Sequence, residues 1–347
     1  MSGDITTHKR IDGAIILRVI AGMAIVMLHT MNMSELIWHD SLSVVQERIS
    51  MSVVYSLMWA VPVFIMVSGA LLLDPAKEMS IKKIYHSYVF RVAAALVIFV
   101  FAFRIFDMIM NGESFSPAVI TDAVYDLISN SSWSHLWYLY LLLGLYILLP
   151  AYRMIAAACD EKTFGYLFIC CMIFLSIIPS LESTVLPIGF ELQIPAIYTL
   201  YFFAGYGIIS GKLKIPKEWG MLLFVTGFAL NLFLMVLSWK LPENGFDSIL
   251  QSYASPAVIP EALGLFVMIW HRRIPDKAAG VLNIPDAAGF GIYLIHMIPL
   301  RFILKYSGLN PYEAGWAAFV FIWAGCYATA VLVTALLRCA PFVRRIL

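Results

Sequence analysis

The sequence predicts an all-α, polytopic membrane protein with about ten transmembrane helices. Of its 347 residues 61% are hydrophobic and 13% are charged, against about 25% charged in soluble domains. Apolar runs close to the roughly 20 residues that span a bilayer recur along the whole chain. No linker, low-complexity tract or soluble segment interrupts them, so 1–347 reads as one membrane domain.

The runs fall at 13–33, 52–73, 88–109, 134–152, 163–179, 194–211, 219–239, 255–271, 287–306 and 313–337. The fifth is short and the tenth long, which tilt or a partly re-entrant path accommodates. Ten is even, so both termini share a side, and basic residues decide which side that is. Lys9, Arg10, Lys77, Lys82, Lys83, Arg153, Lys162, Lys212, Lys214, Lys217, Arg272, Arg273, Lys277, Arg338, Arg344 and Arg345 fall on one side. These are 16 of the 23 lysines and arginines, while the opposite loops hold only Arg48, Lys240 and Lys305. Both termini are therefore expected in the cytoplasm, with 34–51 and 110–133 outside. In intact cells an impermeant thiol reagent should label a single cysteine placed at Ser116 and spare one at Lys214; the reverse pattern would invert the topology.

The first run follows no small-residue cleavage site and is long enough to span, so it is read as a retained helix and not a signal peptide. A net charge of +1 segregated by face gives no basic stripe for nucleic acid. The five cysteines, Cys159, Cys170, Cys171, Cys326 and Cys339, form no disulfide framework and no zinc-like spacing, so no metal is expected.

Within the first run, Arg18 and His29 lie eleven residues apart, about three helical turns plus 20°, and so share one stripe about 16 Å long. Counted from Gly13, Arg18 is about 8 Å and His29 about 24 Å along the helix. Ionisable groups in lipid are costly and usually face a protein interior or a wet cavity. A guanidinium suits a phosphate or carboxylate, and an imidazole exchanges protons near neutral pH. The competing reading makes Arg18 a snorkelling residue and His29 an interhelix contact.

The second run contains Pro62 and Ser68-Gly69, which free a carbonyl and permit close approach of a backbone or ligand. The third opens with Tyr85, His86, Tyr88 and Arg91 after Lys82 and Lys83, a polar and basic edge able to grip a polyanion. The fourth opens Trp133-Ser134-His135-Leu136-Trp137-Tyr138, where an aromatic belt is routine, so His135 is read as interfacial. Glu261, after Pro256 and Pro260, is expected either to be neutral or to meet an arginine or histidine. Tyr293 and His296 stand three apart on neighbouring surface of the ninth run.

Taken in order, Arg18-x10-His29, Phe64 to Gly69, Leu136-Trp137-Tyr138-Leu139 with Tyr146 and Pro150, Tyr201-Phe202-Phe203-Ala204-Gly205-Tyr206 and Tyr293-Leu294-Ile295-His296 resemble the bacterial acyltransferase-3 family of integral membrane acyltransferases. The likeness runs from the first run to the tenth. It implies that His29 is catalytic and Arg18 essential. It also implies an acyl-CoA donor, most often acetyl-CoA from the cytoplasm, and as acceptor a hydroxyl of a surface glycan or its lipid-linked precursor. Family members commonly carry two arginines three apart opening the third helix; here the positions are Tyr88 and Arg91, so only the second is kept. The aromatic residue often found after Ser-Gly is Ala70.

The expected donor-binding set is therefore Arg18, Arg91, Ser68, Tyr88 and Lys83. Trp137, Tyr138, Glu261, Tyr293 and His296 are the candidates for acceptor contact or oxyanion stabilisation. His29 acting as general base and an acyl-histidine intermediate both fit, and a homo-oligomer in the bacterial cell membrane is compatible with the chain. The alternative class is a transporter for a polysaccharide or small anion without acyl chemistry. The absence of an inverted repeat disfavours it, and a sensor or scaffold lacks any soluble signalling module.

Overall fold

The computed structural model describes residues 11–114, 117–184 and 197–347. Lys9, Arg10, Ser116 and the first three residues of the sixth run lie outside the described residues. Where described, each of the ten runs is helical, and no strand occurs among these residues. Seven helices are long and apolar enough to cross a membrane: Asp12–Ser41, Val44–Leu72, Ile81–Met110, Glu161–Glu182, Trp219–Lys240, Asp276–Ile295 and Trp316–Leu337. The pair Ser134–Ile147 and Leu149–Ala158, bent by 56°, makes an eighth if counted as one span. The protein is thus an all-α, multi-pass membrane protein.

Two further apolar runs form shorter helices among the described residues. Ile197–Ser210 has 14 residues and Val258–Trp270 has 13, which rise about 20 Å each against a hydrocarbon core of about 30 Å. The second starts late because the Ser255 hydroxyl accepts the Ala257 amide at 3.3 Å, a local turn in place of helix. Two irregularities lie near the site. The second span breaks at residues 57–59, just before Pro62, which has no N–H to offer the Met58 carbonyl. The third widens into a π turn at Tyr85–Val89, a feature frequent at functional sites.

Glycines set the closest packing. A Cβ on Gly69 would stand 1.8 Å from the Phe202 carbonyl oxygen, and one on Gly205 would stand 1.9 Å from that of Met66. The helices Ala60–Leu72 and Ile197–Ser210 therefore touch backbone to backbone, in the manner of small-residue membrane interfaces. Gly220, Gly227 and Gly264 do the same between Trp219–Lys240 and Val258–Trp270. Gly69→Val is expected to force the first pair apart at a cost of about 1–3 kcal/mol, read as a lower melting temperature in detergent than the wild type.

Polar links gather the loops at two ends of the bundle. The Ile274 amide donates to Asp12 at 2.9 Å, Arg153 donates to the Leu72 and Lys77 carbonyls, and Lys212 Nζ donates to those of Ala156 and Cys159 at 2.6 Å. The loops that carry the basic excess are in this way tied together. At the other end Asp107 accepts from Arg301 Nη1 at 2.6 Å, from Trp133 Nε1 at 2.7 Å and from the Tyr306 hydroxyl at 3.0 Å.

Candidate functional site

The first helix, Asp12–Trp38, and the helix Asp276–Ile295 rise side by side in the same direction. Two contacts fix this: Arg18 meets Asp286, and His29 meets His296. Arg18 binds Asp286 through both carboxylate oxygens, Nε to Oδ1 at 2.7 Å and Nη2 to Oδ2 at 3.0 Å. Such a fork holds the guanidinium plane and leaves Nη1 and one Nη2 proton free.

Arg18 lines a cavity of about 390 Å³ together with Ser68, Tyr88, Arg91, Tyr138, Tyr146, Asp286, Phe290, Tyr293, Arg338 and Arg344. Arg91 is held over the Phe290 ring, 5.0 Å from its centre, and donates to the Ile346 and Leu347 carbonyls at 2.8 Å each. Tyr88 stands on the π turn with its ring 5.6 Å from that of Tyr146. The Ser68 hydroxyl donates to the Phe64 carbonyl at 3.0 Å and also reaches the cavity. Four of the five residues expected to bind a donor thus surround one space. Lys83 does not join them: its side chain is exposed on the short helix Ile81–Ile84 and is absent from the cavity wall. The π turn swings Tyr88 inward and leaves the preceding lysines on the surface.

His29 lies along the first helix from Arg18, beside a small pocket of about 30 Å³ that Trp137, Tyr138, Tyr253, Tyr293 and His135 also line. Its ring centre is 5.2 Å from that of His296 and 6.2 Å from that of His135, and the last two are 5.6 Å apart. Three imidazoles therefore converge. Tyr138 and Tyr293, with ring centres 5.4 Å apart, border both this pocket and the basic cavity. They belong to the wall that the arginine-lined cavity and the histidine pocket share.

The geometry sorts the acceptor and oxyanion candidates. His296 places Nδ1 2.9 Å from the Ile292 carbonyl and is fully buried; the neutral tautomer that donates there leaves a lone pair on Nε2. In that tautomer His296 is a proton-accepting neighbour of His29, its ring centre 5.2 Å away. The Tyr293 hydroxyl donates to the His135 carbonyl, which commits its proton. Tyr138 remains available for that role. Trp137 stacks on Tyr253 at 5.6 Å, forming one wall of the histidine pocket.

Glu261 is buried elsewhere, between Val258–Trp270 and Trp219–Lys240. Its Oε1 accepts from Asn231 Nδ2 at 3.3 Å, and no arginine or histidine hydrogen-bonds it. It lines neither the cavity nor the histidine pocket, so it leaves the candidate site.

His135, read as interfacial, is 1% exposed and faces His29, with both ring nitrogens lacking a hydrogen bond. The aromatic belt around it is real but folds inward: Trp133 stacks on Phe103 at 4.1 Å and ties back to Asp107. Asp286, Arg338 and Arg344 were likewise not singled out. An intramembrane arginine calls for a counter-ion, and that requirement is the one signal that could have found Asp286.

Among families of known proteins, the chain matches one described as an acyltransferase domain, over residues 11–338. No curated protein and no solved structure shows a significant match.

Proposed function

The chain belongs to this family, the acyltransferase-3 family, and from that membership we propose that it moves an acyl group, acetyl in the first instance, from acyl-CoA to a hydroxyl of a cell-surface carbohydrate or its lipid-linked precursor. In this reading it sits in a bacterial cell membrane as a single domain with both termini in the cytoplasm. The observation that supports it best is the shared wall. The cavity holding Arg18, Arg91, Arg338 and Arg344 and the pocket holding His29 have Ile25, Tyr138 and Tyr293 in common. About 390 Å³ is within the usual size of a cofactor or ligand site.

The division of labour follows from charge. Guanidinium groups bind the donor's phosphates, and the extended thiol-bearing arm passes the two tyrosines toward His29. His29 takes the proton of the acceptor hydroxyl as that oxygen bonds to the thioester carbon. The carbonyl pair moves onto oxygen, where the Tyr138 hydroxyl donates to it. When the pair returns the carbon–sulfur bond breaks, and the leaving sulfur takes the proton from His29. The lone pair of His296 Nε2 faces the same cluster and helps His29 hold its proton between the two events.

The test is the purified protein with radiolabelled acetyl-CoA. Label is expected to appear in water or in an added glycan acceptor, with release of free CoA. A protein that leaves acetyl-CoA intact but moves a polysaccharide or small anion across liposomes would replace this reading with transport.

A further inference from the structure

The basic cavity has a neighbouring space, which we call its outer lobe. Beside the main space lies one of about 290 Å³ that shares Ala287, Arg338 and Arg344 with it and is also walled by Ile284 and Cys339. The arginines of the two lobes differ in how far they are already committed. In the main lobe, Arg18 is paired with the Asp286 carboxylate, and Arg91 spends Nε and Nη2 on two backbone carbonyls. In the second lobe, Arg338 donates to the Ala287 carbonyl and Arg344 is exposed, and among the described residues no carboxylate pairs with either. Arg338 and Arg344 thus bring positive charge without a carboxylate partner to the wall that the two spaces share, whereas Arg18 is neutralised by Asp286.

On the donor reading above, we propose that Arg338 and Arg344 bind the phosphomonoester on the ribose of the donor nucleotide, and that they make the protein select acyl-CoA over donors lacking that group. Coenzyme A carries its negative charge at two separate places, a diphosphate along the chain and a single phosphate on the ribose. The lobes divide in the same way. The partly neutralised main lobe, nearest the tyrosines, takes the diphosphate from which the thiol arm extends. The outer lobe takes the dianionic monoester, whose charge an unpaired arginine pair matches best.

Equilibrium binding of acetyl-CoA and of acetyl-3′-dephospho-CoA to the purified full chain tests this. The wild type is expected to bind the dephospho donor at least about tenfold more weakly, the loss expected of one or two charge-assisted contacts. The Arg338→Gln/Arg344→Gln double variant should bind both donors alike, near the affinity of the wild type for the dephospho form. Arg344→Gln alone, at an exposed position that tolerates change, should close part of the gap. Equal binding of both donors by the wild type would overturn the proposal, whatever the variants do. So would a double variant that still separates them tenfold. Failure of the wild type to bind either donor would instead remove the acyl-CoA reading itself.

Discussion

Replacing His29 with alanine is expected to lower acyl transfer by about 10² to 10⁴-fold, the usual contribution of a positioned general base, while donor binding and membrane insertion stay near wild type. The imidazole lies beside His135, His296 and the tyrosine pair, and among the described residues no hydrogen bond holds its ring nitrogens. They are thus free for substrate. Removing a polar side chain from an apolar helix does not oppose insertion. His29→Gln is the sharper variant, because an amide keeps hydrogen bonding and cannot carry the proton. Acyl transfer by purified His29→Gln within a few-fold of wild type would make the residue a structural contact between helices.

The second large effect is on donor affinity. Losing the Arg18 contact to a phosphate should cost about 1.5–3 kcal/mol, a tenfold to hundredfold weaker donor. The pairing with Asp286 adds to this, since Arg18→Ala leaves a carboxylate facing the cavity that the donor's phosphates must enter. The Arg18→Ala/Asp286→Ala double variant should therefore bind acetyl-CoA more tightly than Arg18→Ala alone. Arg18→Lys should recover only part of the loss, because an ammonium cannot form the two-pronged bond to Asp286. Calorimetry on the wild type, Arg18→Ala, Asp286→Ala and the double variant closes the cycle. Additive losses would mean that the ion pair does not act on the donor, and unchanged affinity in Arg18→Ala would separate the cavity from donor binding.

Much of this architecture could be read before any coordinates. Every apolar run is a helix where described, because runs of this length leave few other ways to satisfy the backbone in lipid. The Arg18–His29 stripe was legible for the same reason: helical geometry fixes their shared face, and both turn toward one neighbouring helix. What faces them across the interface was not legible. Asp286 fell one residue before the ninth run, so it looked like loop, although the helix starts at Asp276 and carries Pro285 inside it. His135 and the Trp133 beside it matched the aromatic belt at a membrane edge, and residue type alone does not tell an inward turn from an outward one. Glu261 was legible as a carboxylate that is either neutral or paired with an arginine or histidine, but not as one met by Asn231 from the adjacent helix and set apart from the cavity.

The tyrosine partition has a consequence for the membrane as an insulator. Next to the basic cavity the free space is small: a pocket of about 10 Å³ beside Arg18 and Tyr293, and the histidine pocket of about 30 Å³, where a site needs about 10–15 Å³ to hold one water. These spaces have room for a few waters at most. On the acyl-transfer reading proposed above, an acyl group moving from one face of the bilayer toward the other takes a path that a wide water-filled channel would open to protons as well. On that reading, Tyr138 and Tyr293, which border both the basic cavity and the histidine pocket, narrow the way that the thioester arm has to thread.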